Sequence, residues 1–118
     1  MGVAHWEQAQ SADRLGALFE TWVANEIRAA TWRSPERLDL HHWRTQTGTE
    51  VDFVLSMGER LLPLEAKSSS SITPKMLRGL ETFLADHAKA APFGVLIYSG
   101  AEHRLLGPKI IAISATAL

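Results

Sequence analysis

Apolar residues recur along this chain with two different periods, and the switches between them mark out the elements. From about Asp13 to Trp32 the positions Leu15, Leu18, Phe19, Trp22, Val23, Ile27 and Ala30 fall at intervals of three and four, which predicts an amphipathic helix of about five turns. Residues 1–12 read as a tail or a cut end, and Ser11 or Asp13 is placed to cap the helix. Ser34 and Pro35 end it. Leu38, Leu40, His42 and Arg44 then alternate with Asp39, His41, Trp43 and Thr45, the period of a strand. After a turn at Thr47-Gly48, two apolar runs flank Met57-Gly58-Glu59-Arg60, the pattern of a β-hairpin. Thr73 as N-cap and Pro74 at the first helical position start a second helix, with Leu77, Leu80, Phe83, Leu84 and Ala88 on one face. The continuous run Phe93–Tyr98 reads as a strand buried on both sides, and His103–Leu106 with Ile110–Ile113 read as a closing ribbon around Gly107-Pro108. The order α-β-β-β-α-β with a short C-terminal extended ribbon implies one α/β domain over residues 13–118, a mixed sheet flanked by helices.

The hairpin carries the candidate chemistry. If Gly58-Glu59 is a two-residue loop, Met57 pairs with Arg60, Asp52 lies opposite Glu65, and Glu50 lies opposite Lys67. Alternation then puts Glu50, Asp52, Glu65 and Lys67 on one face, with Val51, Phe53, Leu55, Leu62, Leu64 and Ala66 on the other. Two carboxylates roughly 5 Å apart across a strand pair repel unless something neutralises them. A divalent cation would do so, and hard oxygen ligands suit magnesium or manganese. The same residues also read as an ordinary solvated face, with Glu50 and Lys67 as a surface ion pair worth under about 1 kcal/mol. On the first helix Glu26 falls within the apolar stripe and Glu20 at its edge; a carboxylate aimed at a core needs a partner, and Arg44 is one available to Glu26. His41 and His42 point to opposite sides of their strand, so they do not readily share one ion.

Composition narrows the classes. The chain has 118 residues, 46% of them hydrophobic, with a net charge of −1 and no cysteine. That suits a single core and excludes disulfides, thiolate metal sites and cysteine nucleophiles. Near-neutrality does not advertise a non-specific nucleic-acid binder, although Arg44, Lys75 and Arg78 offer local cations toward a phosphate. No apolar run approaches the roughly 20 residues of a membrane span and no signal-peptide pattern opens the chain, so a cytoplasmic protein is expected.

Asp52 followed by Glu65-Ala66-Lys67 on the next strand resembles the D…ExK core of the PD-(D/E)XK (restriction-endonuclease-like) nuclease superfamily, whose element order also matches. Gly16-Ala17-Leu18-Phe19-Glu20 resembles the GxxxE helix motif of its Holliday-junction-resolvase-like members. More narrowly, GALFETWVANEI, HHWRTQTGTEVDFVL, LPLEAKSS and LRGLETF resemble the C-terminal domain of unknown function in a prokaryotic family of AAA-type ATPases. Val51 replaces the superfamily's proline, and no GxxxxGK[ST] phosphate loop is present. The resemblance implies a magnesium or manganese ion on Asp52, Glu65 and the Ala66 carbonyl, with Glu20 as a further acid and Glu26 as the competing candidate for that place. It implies Lys67 beside the attacking water, phosphodiester hydrolysis on nucleic acid, and an ATPase module as partner. A catalytically silent scaffold serving regulation, protein interaction or homodimerisation is the alternative it leaves open, with exposed Trp6, Trp22, Trp32 or Trp43 as its signature.

Overall fold

The computed structural model describes residues 5–118, with side chains from residue 14 onward. Helix α1 spans His5–Arg33. It starts before the expected position near Asp13, so Ser11 and Asp13 lie inside the helix rather than at its start. Residues 1–4 of the expected tail lie outside the described residues, and 5–12 are already helical.

A six-stranded mixed sheet follows, built from β1 (Asp39–Arg44), β2 (Glu50–Met57), β3 (Arg60–Lys67), β4 (Gly94–Tyr98), β5 (Arg104–Leu105) and β6 (Ile110–Ser114), in the spatial order β1-β2-β3-β4-β6-β5. The first three strands form the expected antiparallel meander. Gly58 takes φ +60°, the conformation that a two-residue hairpin turn with glycine at its first position requires. Met57 therefore pairs with Arg60. Helix α2 (Arg78–Asp86) crosses over so that β4 enters parallel to β3, buried at every position as its unbroken apolar run implies. The C-terminal ribbon joins the same sheet, with β6 parallel to β4 and antiparallel to β5. Thr73 and Pro74 open a 3-10 turn, Pro74–Leu77, ahead of α2, and the Thr73 side chain makes no capping bond.

The helices cover opposite sides of the sheet. Leu80, Phe83 and Leu84 of α2 pack with Val51, Val54, Leu96 and Tyr98, and Trp43 lies edge-on to Phe83 at 5.1 Å. Val23 and Ile27 of α1 pack with Leu64, Ala66, Val95 and Ile97. Only part of α1's apolar stripe is used. Leu15 and Leu18 are 62% and 64% exposed and Trp22 is 42% exposed, so these three do not join the core that their place in the stripe predicts. The stripe is wider than the strip of sheet it meets. Among the described residues no helix is long and apolar enough to cross a membrane.

One irregularity positions the site. The β1–β2 register runs from His41↔Val54 to Trp43↔Val51, two steps along β1 against three along β2. The extra residue belongs to β2, where Asp52-Phe53 oppose His42 in a β-bulge. Alternation slips there: Val51 and Val54 share the α2 side, while Phe53 and Leu55 face α1. The expectation that Val51 stands with Phe53 on one face is thereby overturned.

Helix α2 starts against this region so closely that a Cβ on Gly79 would collide with the Glu50 carbonyl oxygen. Backbone cannot give way as a flexible side chain can. Gly79→Ala is expected to cost about 1–3 kcal/mol, read as a lowered urea midpoint, despite alanine's better helix propensity.

Candidate functional site

The β2–β3 ladder runs from Met57↔Arg60 to Phe53↔Leu64. Beyond it, side chains replace the backbone bonds. The Asp52 amide donates to Glu65 Oε1 at 2.9 Å, and the Ala66 amide donates to Asp52 Oδ2 at 3.0 Å. Each carboxylate is thus caught by the other residue's strand, and the two acids expected to face each other do so. Lys67 Nζ lies 3.8 Å from Glu65 Oε2. Glu65 is buried, at 5% exposure, and its pKa is pushed up to about 8, first by loss of water and then by the Asp52 charge. The Asp52 backbone amide and Lys67 pull the other way without cancelling these effects.

Of the two helix acids, Glu20 is the one near enough to feel this group. Its pKa is raised by partial burial and then by Asp52, with Lys67 opposing and Glu50 adding to the rise. Four residues earlier, a Cβ on Gly16 would sit 3.7 Å from Ser68 Oγ, so α1 passes close beside the segment leaving β3. Glu26 lies elsewhere on α1, half-buried in a pocket with Ile27, Leu38, Leu55 and Ile97. It makes no ion pair with Arg44. That guanidinium holds Glu50 instead, through Nη2 at 3.0 Å and Nε at 3.2 Å to one oxygen. The expected Glu50–Lys67 pair is therefore corrected as well: Glu50 is turned toward β1 and Lys67 toward Glu65.

The two adjacent histidines have separate partners. His41 Nε2 meets Ser56 Oγ at 3.0 Å, and His42 Nδ1 meets the Asp52 carbonyl oxygen at 3.2 Å. Both are exposed, although alternation predicts opposite faces for them. Lys75, in the 3-10 turn, and Arg78, at the start of α2, are exposed cations. A groove of about 590 Å³ lined by Leu38, Leu55, Met57, Leu61 and Phe93 opens at the turn end of the hairpin, away from the carboxylates.

The donor set fits a hard divalent cation. The strand amides donate to Glu65 Oε1 and Asp52 Oδ2, which leaves Oε2 and Oδ1 to an ion, and the Asp52 charge that helps to hold the Glu65 proton is what a cation would offset. No three Asp, Glu or His side chains among the described residues already form a cage. A bound ion would therefore depend on these two oxygens, backbone carbonyl and water.

A family model described as a domain of unknown function (DUF4143) matches residues 15–118. Uncharacterized proteins of Mycobacterium bovis and Mycobacterium tuberculosis are each 31% identical over 103 residues, covering 86% of this chain and 21% of their own length. The chain thus spans about a fifth of those curated relatives. Among solved structures, a chain of a half-complex from a tetradecameric assembly of Thermococcus gammatolerans McrB AAA+ hexamers with bound McrC is similar, with a TM-score of 0.54 and 17% identity. That likeness covers 84% of this chain and 27% of the other, and it is a likeness of fold.

Proposed function

The chain belongs to the DUF4143 family, and we propose that it is a divergent PD-(D/E)XK nuclease core, a magnesium- or manganese-dependent phosphodiesterase acting on nucleic acid beside an AAA-type ATPase module. The observation that carries this reading is the reciprocal capture of Asp52 and Glu65 where the β2–β3 ladder ends, with the Lys67 ammonium 3.8 Å from Glu65. Two acids and a cation from adjacent strands are what metal-assisted phosphodiester hydrolysis needs. The AAA+ assembly that contains the similar fold supports an ATPase partner.

Asp52 Oδ1, Glu65 Oε2 and the Ala66 carbonyl would hold the ion, with Glu20 reaching it through water. When bound, the cation supplies a lowered pKa for its water and charge stabilisation on the phosphoryl oxygens. The other roles belong to the chain itself. Lys67 orients the attacking water and meets negative charge building on the phosphate. Glu65 would have to release its proton to solvent for the ion to bind. Arg44, Lys75 and Arg78 are the cations available to the nucleic-acid backbone.

The test is cleavage of single-stranded, duplex and branched DNA and RNA with magnesium or manganese, beside Mn²⁺ binding by calorimetry. Glu65→Gln and Lys67→Ala are expected to lose about 10²–10³-fold in rate. Glu20→Gln should weaken Mn²⁺ binding, and Glu26→Gln should leave it unchanged. A wild-type chain that neither binds Mn²⁺ nor cuts any substrate would sink the reading.

The exposed stripe of Leu15, Leu18 and Trp22 favours a second reading, a silent nuclease-like scaffold that docks on its ATPase or on a second copy of itself. Sedimentation of the isolated chain, with and without Leu18→Glu, distinguishes a dimer from a free face.

A further inference from the structure

The β2 bulge leaves Asp52 with a backbone carbonyl that regular pairing with β1 would have satisfied. His42, the β1 residue opposite the bulge, satisfies it: Nδ1 stands 3.2 Å from that oxygen. A carbonyl only accepts, so Nδ1 carries the proton. The other ring nitrogen, Nε2, faces Glu50 Oε2 at 3.8 Å, and Glu50 is itself held by Arg44. A chain of contacts therefore runs from Arg44 through Glu50 and the imidazole to the backbone of Asp52. The ring is mostly exposed, with 60% of its side chain open, so packing gives it little to do.

We propose that His42 is a positioning residue, pinning the bulge that turns Asp52 out of the ladder and aims its carboxylate at the Ala66 amide and at Glu65. The proposal deepens the cation-site reading and rests on it for function, but the geometry it asserts is independent of any ion. Partners that orient a ligand's own backbone or ring typically affect metal affinity by about 10- to 100-fold when removed. Here the ligand is Asp52, and the orienting group acts on its main chain.

The Ala66 amide proton reports the aim of Asp52 directly, because it donates to Oδ2. Amide NMR spectra and hydrogen exchange would be recorded for the wild type, Asp52→Ala, His42→Ala and His42→Gln, all as the full chain. Asp52→Ala sets the resonance of an Ala66 amide without its carboxylate. In His42→Ala the Ala66 amide is expected to move toward that reference and, with the Asp52 amide, to exchange faster, while β4 amides stay in place. His42→Gln, which keeps a side-chain N–H donor, is expected to restore them. An Ala66 amide left at its wild-type position in His42→Ala overturns the proposal, with or without metal. Mn²⁺ titration of the same proteins then tests the functional consequence, an affinity about tenfold or more weaker in His42→Ala and recovered in His42→Gln. Where the wild type does bind Mn²⁺, unchanged affinity in His42→Ala overturns His42's part in the site. Absence of Mn²⁺ binding by the wild type overturns the cation reading instead, and the amide result decides the positioning role alone.

Discussion

Asp52→Asn is expected to abolish divalent-cation binding and to make the metal-free protein more stable at pH 8. The two effects have one cause. Asp52 is the charge that, after burial, pushes the Glu65 pKa up. An asparagine keeps an oxygen in place for the Ala66 amide and removes the charge, so Glu65 ionises more cheaply inside the fold. Each pKa unit recovered is worth about 1.4 kcal/mol, read as a raised urea midpoint. The gain should fade as pH falls well below 8, where Glu65 keeps its proton in the folded state with or without the Asp52 charge. Asp52→Ala must behave differently. It also removes the charge, but it orphans the amide of Ala66, a residue with 0% exposure, at a cost of about 1–3 kcal/mol. Urea unfolding of the three proteins at pH 8 in a chelator should rank asparagine above wild type, and alanine below asparagine. A site that is more stable without its acid is one where stability has been given up for something else. An asparagine variant less stable than wild type at pH 8 would mean that Lys67 already neutralises the pair.

Much of this arrangement is legible in the sequence, and the rest fails for identifiable reasons. The hairpin register follows from Gly58 and the two-residue turn, and with it the facing of Asp52 and Glu65. The buried β4 and the apolar face of α2 follow from their periods. The bulge does not. Val51 and Phe53 are both apolar, so Val-Asp-Phe reads as regular alternation; only the further Val54 hints that the phase changes, and the register shift itself appears only once β1 is paired. The partner of Glu50 is illegible for the same reason, since it comes from β1 and not from the hairpin. The choice between Glu20 and Glu26 depends on which side of an over-wide apolar stripe meets the sheet. The helix sets Val23 and Ile27 against it, leaves Leu15, Leu18 and Trp22 outside, and so carries Glu20 to the carboxylates. His42 carries no sequence signal beyond its place opposite an extra residue that the sequence does not announce.

The raised pKa of Glu65 makes stability itself depend on pH, with a sign opposite to that of a salt-bridged acid. The unfolded chain releases this proton near 4.5 and the folded chain near about 8. Below 4.5 both states hold the proton and Glu65 contributes no slope. Between the two values the folded state binds one proton more than the unfolded, so stability falls as pH rises, by up to about 1.4 kcal/mol per unit. Above about 8 both states are ionised and the decline ends. Saturating magnesium should flatten this slope, because the ion selects the deprotonated folded form and stabilises it by mass action. The same linkage requires cation binding to expel close to one proton at pH 6.5 and progressively less toward pH 9, with affinity rising up to about tenfold per pH unit until Glu65 has ionised. Calorimetry at pH 6.5 in buffers of different ionisation enthalpy measures that proton directly, and urea midpoints from pH 5 to 9, with chelator and with magnesium, measure the slope. Parallel pH curves in the two conditions would mean that the ion does not reach Glu65. A converging pair at low pH and a widening gap toward pH 8 would place the cation on the buried carboxylate, with Glu65 as the group whose proton it replaces.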